Sequence, residues 1–112
     1  MAENDEWDKD PSVQKMRKVF GSMENACRAF LKELQLSPFD PRLRQWRERA
    51  LVIFERVWAY AARRGSTISE GNAADLYIFA LSRVMVSEGI EISEGLFPQN
   101  PDVLKLFQEA FK

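Results

Sequence analysis

The sequence predicts an all-α fold, namely an antiparallel bundle of three long helices completed by a short fourth helix near the C-terminus. Three segments place Asp or Asn directly before Pro, with an apolar residue two positions after the Pro: Asp10-Pro11, Asp40-Pro41 and Asn100-Pro101. The Asp or Asn side chain can accept a hydrogen bond from a free N–H of the first turn, and Pro fits the first helical position. Apolar residues then recur at intervals of three and four, which places them on one helical face.

Composition and length indicate one domain. The 112 residues are 46% hydrophobic and 12% aromatic, which is enough for a core. We expect residues 1–9 to be a disordered acidic tail and residues 10–112 to be a single helical-bundle domain. No apolar run approaches the ~20 residues of a membrane span, and the single cysteine excludes an internal disulfide. These features predict a cytoplasmic protein without membrane association.

The first predicted helix runs from Pro11 to about Leu36. Its apolar residues keep a three-four spacing that predicts one buried face, formed by Val13, Met16, Phe20, Met23, Cys27, Phe30 and Leu34. Cys27 lies in the middle of this stripe, so we interpret it as a small buried apolar residue and not as a reactive thiol.

The second predicted helix runs from Pro41 to about Arg64, and Gly65 suits the position that ends it. A first apolar row consists of Leu43, Trp46, Ala50, Ile53, Val57 and Tyr60. A second row, of Leu51, Phe54, Trp58 and Ala61, widens the apolar arc to roughly half the circumference. An arc of that width predicts contact with two neighbouring helices.

The third predicted helix ends near Ser87, before Gly89. We predict a capping box at its start, with Thr67 as the N-cap residue and Glu70 three positions later. The helix is apolar over more than half of its surface, and Phe79 and Val86 fall on the side that should be polar. We expect the fourth helix, which begins at Asn100-Pro101, to cover them. The connecting loop is acidic, and we predict that its Leu96 and Phe97 dock on the body.

Catalysis is not predicted. The chain contains no histidine, which excludes His-dependent nucleophilic catalysis and most zinc sites. Tyr60, Tyr77 and Asp75 show no spacing that commits them to a catalytic role. The acidic loop with Glu88, Glu91 and Glu94 does not match a calcium-binding loop, so no metal and no cofactor is predicted.

Positive charge is concentrated in the middle of the sequence. Residues 11–64 contain twelve Lys or Arg against five acids, whereas residues 1–10 and 65–112 each carry a net charge of −4. Four arginines recur every seven residues along the second helix: Arg42, Arg49, Arg56 and Arg63. These arginines either pair with neighbouring carboxylates of the same chain or bind an anionic partner, which would be an acidic protein surface or a phosphate backbone.

The turn after the second helix offers a DNA-binding alternative. The stretch from Ala61 to Leu76 loosely resembles the opening of a winged helix-turn-helix domain. A recognition helix would need a second turn near residues 77–79, and neither Gly nor Pro is present there. Only Arg83 would face DNA, so nucleic-acid binding is the less favoured interpretation.

These patterns predict a non-enzymatic helical module for protein–protein interaction, either a homo-oligomer such as a homodimer or an adaptor subunit of a larger assembly. The prediction depends on apolar arcs wider than a small bundle needs and on the segregated charge. Trp58 is the first candidate for an interface anchor, followed by Phe79 and Val86, and Trp7 could serve as a short docking motif. A nucleic-acid-binding regulator is the first alternative, and a small ligand-binding bundle is the second.

Overall fold

A computed structural model describes residues 9–19, 21–37 and 40–111 of the chain. The predicted acidic tail, including Trp7, and the predicted stripe residue Phe20 lie outside these ranges. The described residues form α1 (Pro11–Val19), α2 (Gly21–Glu33), α3 (Pro41–Arg63), α4 (Glu70–Ser87), a 3₁₀ turn (Glu94–Leu96) and α5 (Pro101–Ala110). No β-strand occurs among them, which confirms the all-α helical bundle.

The three helix starts at Asp or Asn followed by Pro are confirmed. Asp10 Oδ1 accepts a hydrogen bond from the backbone N–H of Ser12 at 2.9 Å, and Asp40 Oδ1 accepts one from Arg42 at 2.9 Å. Asn100 Oδ1 accepts from Asp102 and Val103, at 3.1 and 3.3 Å. Each side chain thus satisfies a first-turn donor that the helix leaves without a partner.

The third predicted helix is α4 of the structure, and its predicted start is wrong by two residues. The helix begins at Glu70, and Ser69 is its N-cap residue, whose Oγ accepts from the N–H of Asn72 at 3.2 Å. Thr67 therefore lies outside the helix, and Ile68, directly before the cap, is buried in the core.

The first predicted helix, from Pro11 to about Leu36, corresponds to two helices of the structure, α1 and α2, and α2 ends at Glu33, three residues before the predicted end. Gln35 has a φ of +58°, a left-handed conformation that an α-helix cannot continue through. The N–H of Leu36 bonds to the carbonyl of Leu31 at 2.9 Å, and the N–H of Gln35 bonds to that of Lys32 at 3.0 Å. These two bonds make a Schellman motif, which satisfies the last carbonyls of the helix.

One continuous apolar core joins the helices, and α4 contributes the most to it. Leu76, Tyr77, Ala80, Leu81 and Met85 of α4 are fully buried, and the helix packs against both α2 and α3. The predicted stripes of the first two helices face the same core. Helix α4 is therefore the central element, as its all-round apolar sequence predicts.

Helix α5 lies across α3 and α4. Its cap residue Asn100 donates to Asn72 and Asp75 near the start of α4, at 2.8 and 2.9 Å. Further along, Phe107 packs on Phe79 of α4. The expectation that this helix covers Phe79 and Val86 is half right, since Phe79 is half-buried whereas Val86 stays 48% exposed.

The acidic loop returns along the bundle between α4 and α5. Ile90, Ile92 and Leu96 are partly buried against the core, and Phe97 is half-buried. The predicted docking on the core is confirmed for Leu96. None of the helices that the structure describes offers an apolar stretch able to span a bilayer.

Candidate interaction surface

A row of three phenylalanine rings forms where α5 meets α4. Phe79 and Phe107 meet edge to face with ring centroids 4.9 Å apart, and Phe107 and Phe111 are 4.8 Å apart. Phe79 and Phe107 are half-buried, whereas Phe111 at the end of the row is 38% exposed. The exposed Val86 lies seven residues after Phe79, on the same side of α4.

Two guanidinium groups stack on this row. The Arg56 guanidinium lies 4.5 Å from the centroid of Phe111. The Arg83 guanidinium lies 5.9 Å from the centroid of Phe79 and 5.7 Å from that of Phe107. We call this surface the aromatic–arginine patch, which consists of Arg56, Phe79, Arg83, Val86, Phe107 and Phe111.

The two patch arginines differ in their partners from Arg42 and Arg49 of α3, which pair with carboxylates of the same chain. Neither Arg56 nor Arg83 forms an ion pair with a carboxylate among the described residues. Stacking on a ring uses the face of a guanidinium and leaves its N–H groups, which lie in the plane, free to donate. Both groups therefore keep their capacity to bind a carboxylate.

The four predicted arginines of α3 all point to solvent. Arg42 pairs with Asp40 at 2.9 Å, and its hydrogen bonds hold the pKa of the Asp40 carboxyl below its ordinary value of 3.8. Arg49 pairs with Glu88 at the end of α4. Two of the four are thus neutralised within the chain, and Arg56 belongs to the patch.

Trp58 packs on the core. Its ring centroid is 5.6 Å from that of the buried Phe54, and the side chain is half-buried. Of the three predicted apolar anchors, Phe79 and Val86 lie in the aromatic–arginine patch, and Trp58 is packed against Phe54 of α3.

A buried ion pair is the feature that sequence reasoning missed. Arg47 is 4% exposed and Asp10 is 3% exposed, and the Arg47 Nε donates to Asp10 Oδ2 at 3.2 Å. The Ser12 hydroxyl donates to the other carboxylate oxygen at 2.8 Å. Burial raises the pKa of Asp10, but the hydrogen bonds from Arg47 and Ser12 and the charge of Arg47 outweigh it, so the pKa lies below 3.8. One feature of the sequence indicates that Arg47 is buried. It lies four residues before Leu51, and therefore on the same side of α3 as the second apolar row.

Cys27 and Tyr77 lie near this pair and are fully buried. Burial raises the pKa of the Cys27 thiol to about 12, so the thiol is protonated and inert at neutral pH. Burial also raises the pKa of Tyr77 well above 10, and its hydroxyl donates to the Arg47 carbonyl oxygen at 3.5 Å. Tyr60 instead donates to Glu109 at 3.4 Å, and Asp75 accepts from Asn100, so the candidate catalytic residues do not converge.

Several surface depressions of about 260–500 Å³ occur on the described part of the chain. One of about 280 Å³ lies between the α3–α4 loop and α5, lined by residues that include Thr67, Asn72, Leu76, Lys105 and Glu109. Within the described ranges, no three His, Cys, Asp or Glu side chains are grouped closely enough to hold a metal ion. The predicted second alternative, a ligand-binding bundle, would have to use such a depression.

The helix-turn-helix alternative lacks its second turn. Helix α4 runs without interruption from Glu70 to Ser87, so no recognition helix begins near residues 77–79. Arg83, the side chain expected to face DNA, stacks on the ring row.

Comparison with protein-family models, with curated proteins and with solved structures finds no match to this chain.

Proposed function

We propose that this chain is a non-enzymatic helical module for protein–protein interaction, either a homo-oligomer or an adaptor subunit of a larger assembly. The aromatic–arginine patch carries the proposal. Aromatic residues and arginine are enriched at the energetic centres of interfaces because they combine large apolar area with directional hydrogen bonding. A patch in which Phe111 and Val86 remain exposed beside Arg56 and Arg83 has that composition.

The apolar surface available for interaction is narrower than the sequence predicts. Most of the wide apolar arcs of α3 and α4 are covered within the protomer, and the exposed large apolar side chains of the described part are Val52, Val86 and Phe111. Two of these three belong to the patch. The proposal therefore rests on one local surface and not on a general excess of apolar area.

Two measurements test this function. Size-exclusion chromatography with light scattering over a hundredfold concentration range would detect self-association. Replacing Val86 with a photo-crosslinking amino acid, in the cells that express the protein, would detect a partner at the patch. The matched control places the same crosslinker at Gln45, which is exposed on α3.

We expect either concentration-dependent assembly or a discrete crosslinked protein at position 86 that is absent at position 45. A strict monomer whose crosslinking at position 86 does not exceed that at position 45 would refute the function.

Nucleic-acid binding remains the alternative because Arg42, Arg49, Arg56 and Arg63 are all exposed along α3. The ion pairs of Arg42 and Arg49 with Asp40 and Glu88 weigh against it, since phosphates would have to displace these carboxylates. The alternative predicts binding to DNA or RNA that weakens steeply with salt. Absence of binding at about 50 mM salt, where phosphate contacts are strongest, would exclude it.

A further inference from the structure

We infer that the aromatic–arginine patch binds an acidic amphipathic helix of a partner protein. This inference rests on the proposed function and specifies the chemistry of the partner. The juxtaposition that supports it is a row of three phenylalanine rings that ends at the exposed Phe111, with the exposed Val86 near it on α4. Two guanidinium groups that have no carboxylate partner among the described residues lie over this row.

Charge is the first step of the argument. Guanidinium groups bind carboxylates through paired N–H donors, and a guanidinium held against a ring loses less side-chain freedom on binding. Arg56 is held over Phe111, and Arg83 is held between Phe79 and Phe107. The two groups thus present fixed donors at the two ends of the phenylalanine row, which suits two carboxylates separated by one or two helical turns.

The second step is the way in which α5 is bound. This ten-residue helix places Val103 and Phe107 against the α3–α4 surface, while its Glu109 accepts a hydrogen bond from Tyr60 of α3. The α3–α4 surface therefore already binds one short amphipathic helix, α5, through apolar contacts and through a hydrogen bond to a carboxylate at the edge of that helix. Val86 lies seven residues after Phe79 on α4 and its side chain is 48% exposed, so a second short helix could pack there in the same manner.

The third step separates a peptide from a nucleic acid. Aromatic rings beside arginines also suit single-stranded nucleic acids. Two carboxylates lie beside this patch, however: Glu94 lines the depression beside Phe79, and Glu109 accepts a hydrogen bond from Tyr60. A phosphate backbone carries a negative charge at every nucleotide and would bring some of them close to these carboxylates, whereas a helix can place just two carboxylates, at Arg56 and Arg83, beside an apolar face.

The test uses the full chain and a designed probe. The probe is a fluorescein-labelled 16-residue peptide of Leu, Glu and Ala, with Leu on one helical face and Glu along its edges. Binding is measured by fluorescence anisotropy at low salt for the wild type, Arg56→Gln, Arg83→Gln and Val86→Asp. Arg44→Gln is the matched control, since Arg44 is also an exposed arginine of α3 but lies outside the patch. Circular dichroism confirms that each variant is folded.

We expect Arg56→Gln and Arg83→Gln each to weaken binding about tenfold, as loss of one charge-assisted hydrogen-bond pair implies. Val86→Asp should weaken it similarly, and Arg44→Gln should change it less than twofold. A peptide with Gln in place of Glu should bind at least tenfold more weakly to the wild type, a result that depends on no protein variant.

Three outcomes would overturn the inference: no binding of the peptide, binding that is insensitive to Arg56 and Arg83, or tighter patch-dependent binding of a 20-nucleotide oligothymidylate. If any of these occurred while position 86 still crosslinked to a protein or the chain still assembled, the inference would fail and the proposed function would stand. Failure of the assembly and crosslinking measurements would remove both.

Discussion

At the scale of single residues, the Asp10–Arg47 pair joins the first helix start to the second turn of α3. The capping role of Asp10 followed from the sequence because capping depends on neighbours in the chain. The ion pair did not, because it joins residues 37 positions apart and depends on how the helices pack. The residue type alone does not distinguish a buried arginine from an exposed one. The position of Arg47 in line with Leu51, in the second apolar row of α3, is the one feature of the sequence that indicates burial.

Replacing one member of this ion pair should lower the free energy of unfolding. Arg47→Leu leaves the Asp10 carboxylate buried without its cation, so we expect the free energy of unfolding to fall by about 3 kcal/mol. Adding Asp10→Asn removes the charge while keeping a capping side chain, so the double variant should be more stable than Arg47→Leu alone. Urea unfolding followed by circular dichroism measures these differences. A loss below about 1 kcal/mol for Arg47→Leu would show that water solvates Asp10.

The same ion pair should make the free energy of unfolding depend on pH. Because the pKa of Asp10 is lower in the folded state than in the unfolded chain, its ionised form stabilises the fold above pH 4, roughly, and this stabilisation is lost as the pH falls further. The difference in unfolding free energy between the wild type and Asp10→Asn should therefore shrink between about pH 5 and pH 3. Urea unfolding of the two proteins at several pH values measures it. A difference that stays constant over this range would contradict the role of the ionised carboxylate.

At the scale of elements, helix ends illustrate what local sequence can and cannot predict. Gly65 and Gly89 end α3 and α4 with φ values of +72° and +89°, as their positions predict. Gln35 adopts the same conformation at the end of α2 without the residue type that signals it, so the predicted helix ran too far. The capping box with Glu70 predicts Thr67 as the cap of α4, whereas the N–H of Asn72 bonds to Ser69, which can cap a helix equally well.

Replacing Gln35 with Gly should stabilise the protein. A residue with a Cβ pays a conformational penalty at positive φ that Gly does not pay, so Gln35→Gly should raise the free energy of unfolding by about 0.5–1 kcal/mol. Gly65→Ala is the matched control, and it should lower stability by a similar amount because it imposes the same penalty on α3. Thermal and urea unfolding measure both changes. Destabilisation by Gln35→Gly would mean that contacts of the Gln35 side chain outweigh its backbone strain.

At the scale of the whole molecule, the sequence predicted the class of fold, but not which apolar faces the protomer covers. Periodicity places Phe79 and Val86 on the same side of α4, yet Phe79 packs on Phe107 of α5 whereas Val86 stays exposed. The aromatic–arginine patch is assembled from α3, α4 and α5 and from the residue that follows α5. Its composition could not be recognised before these elements were placed together.

The helices should also differ in how readily they open. Nine of the eighteen residues of α4 are buried, whereas Val103 is the one buried residue of the ten in α5. We therefore expect the amides of α5 to exchange with deuterium through a local opening that leaves α4 protected. Asn100→Ala removes both the cap of α5 and its hydrogen bonds to Asn72 and Asp75, at a cost of about 1–2 kcal/mol.

Exchange in α5 should accordingly accelerate about tenfold in Asn100→Ala, while exchange in the centre of α4 changes only as far as global stability falls. Hydrogen–deuterium exchange with mass spectrometry measures both helices in one experiment. Gln108→Ala, at an exposed position of the same helix, is the control and should leave both rates nearly unchanged. Equal acceleration in α4 and α5 would show instead that the two helices open as one unit. In that case the patch would be as stable as the core, because the residues that form it would separate only when the whole bundle unfolds.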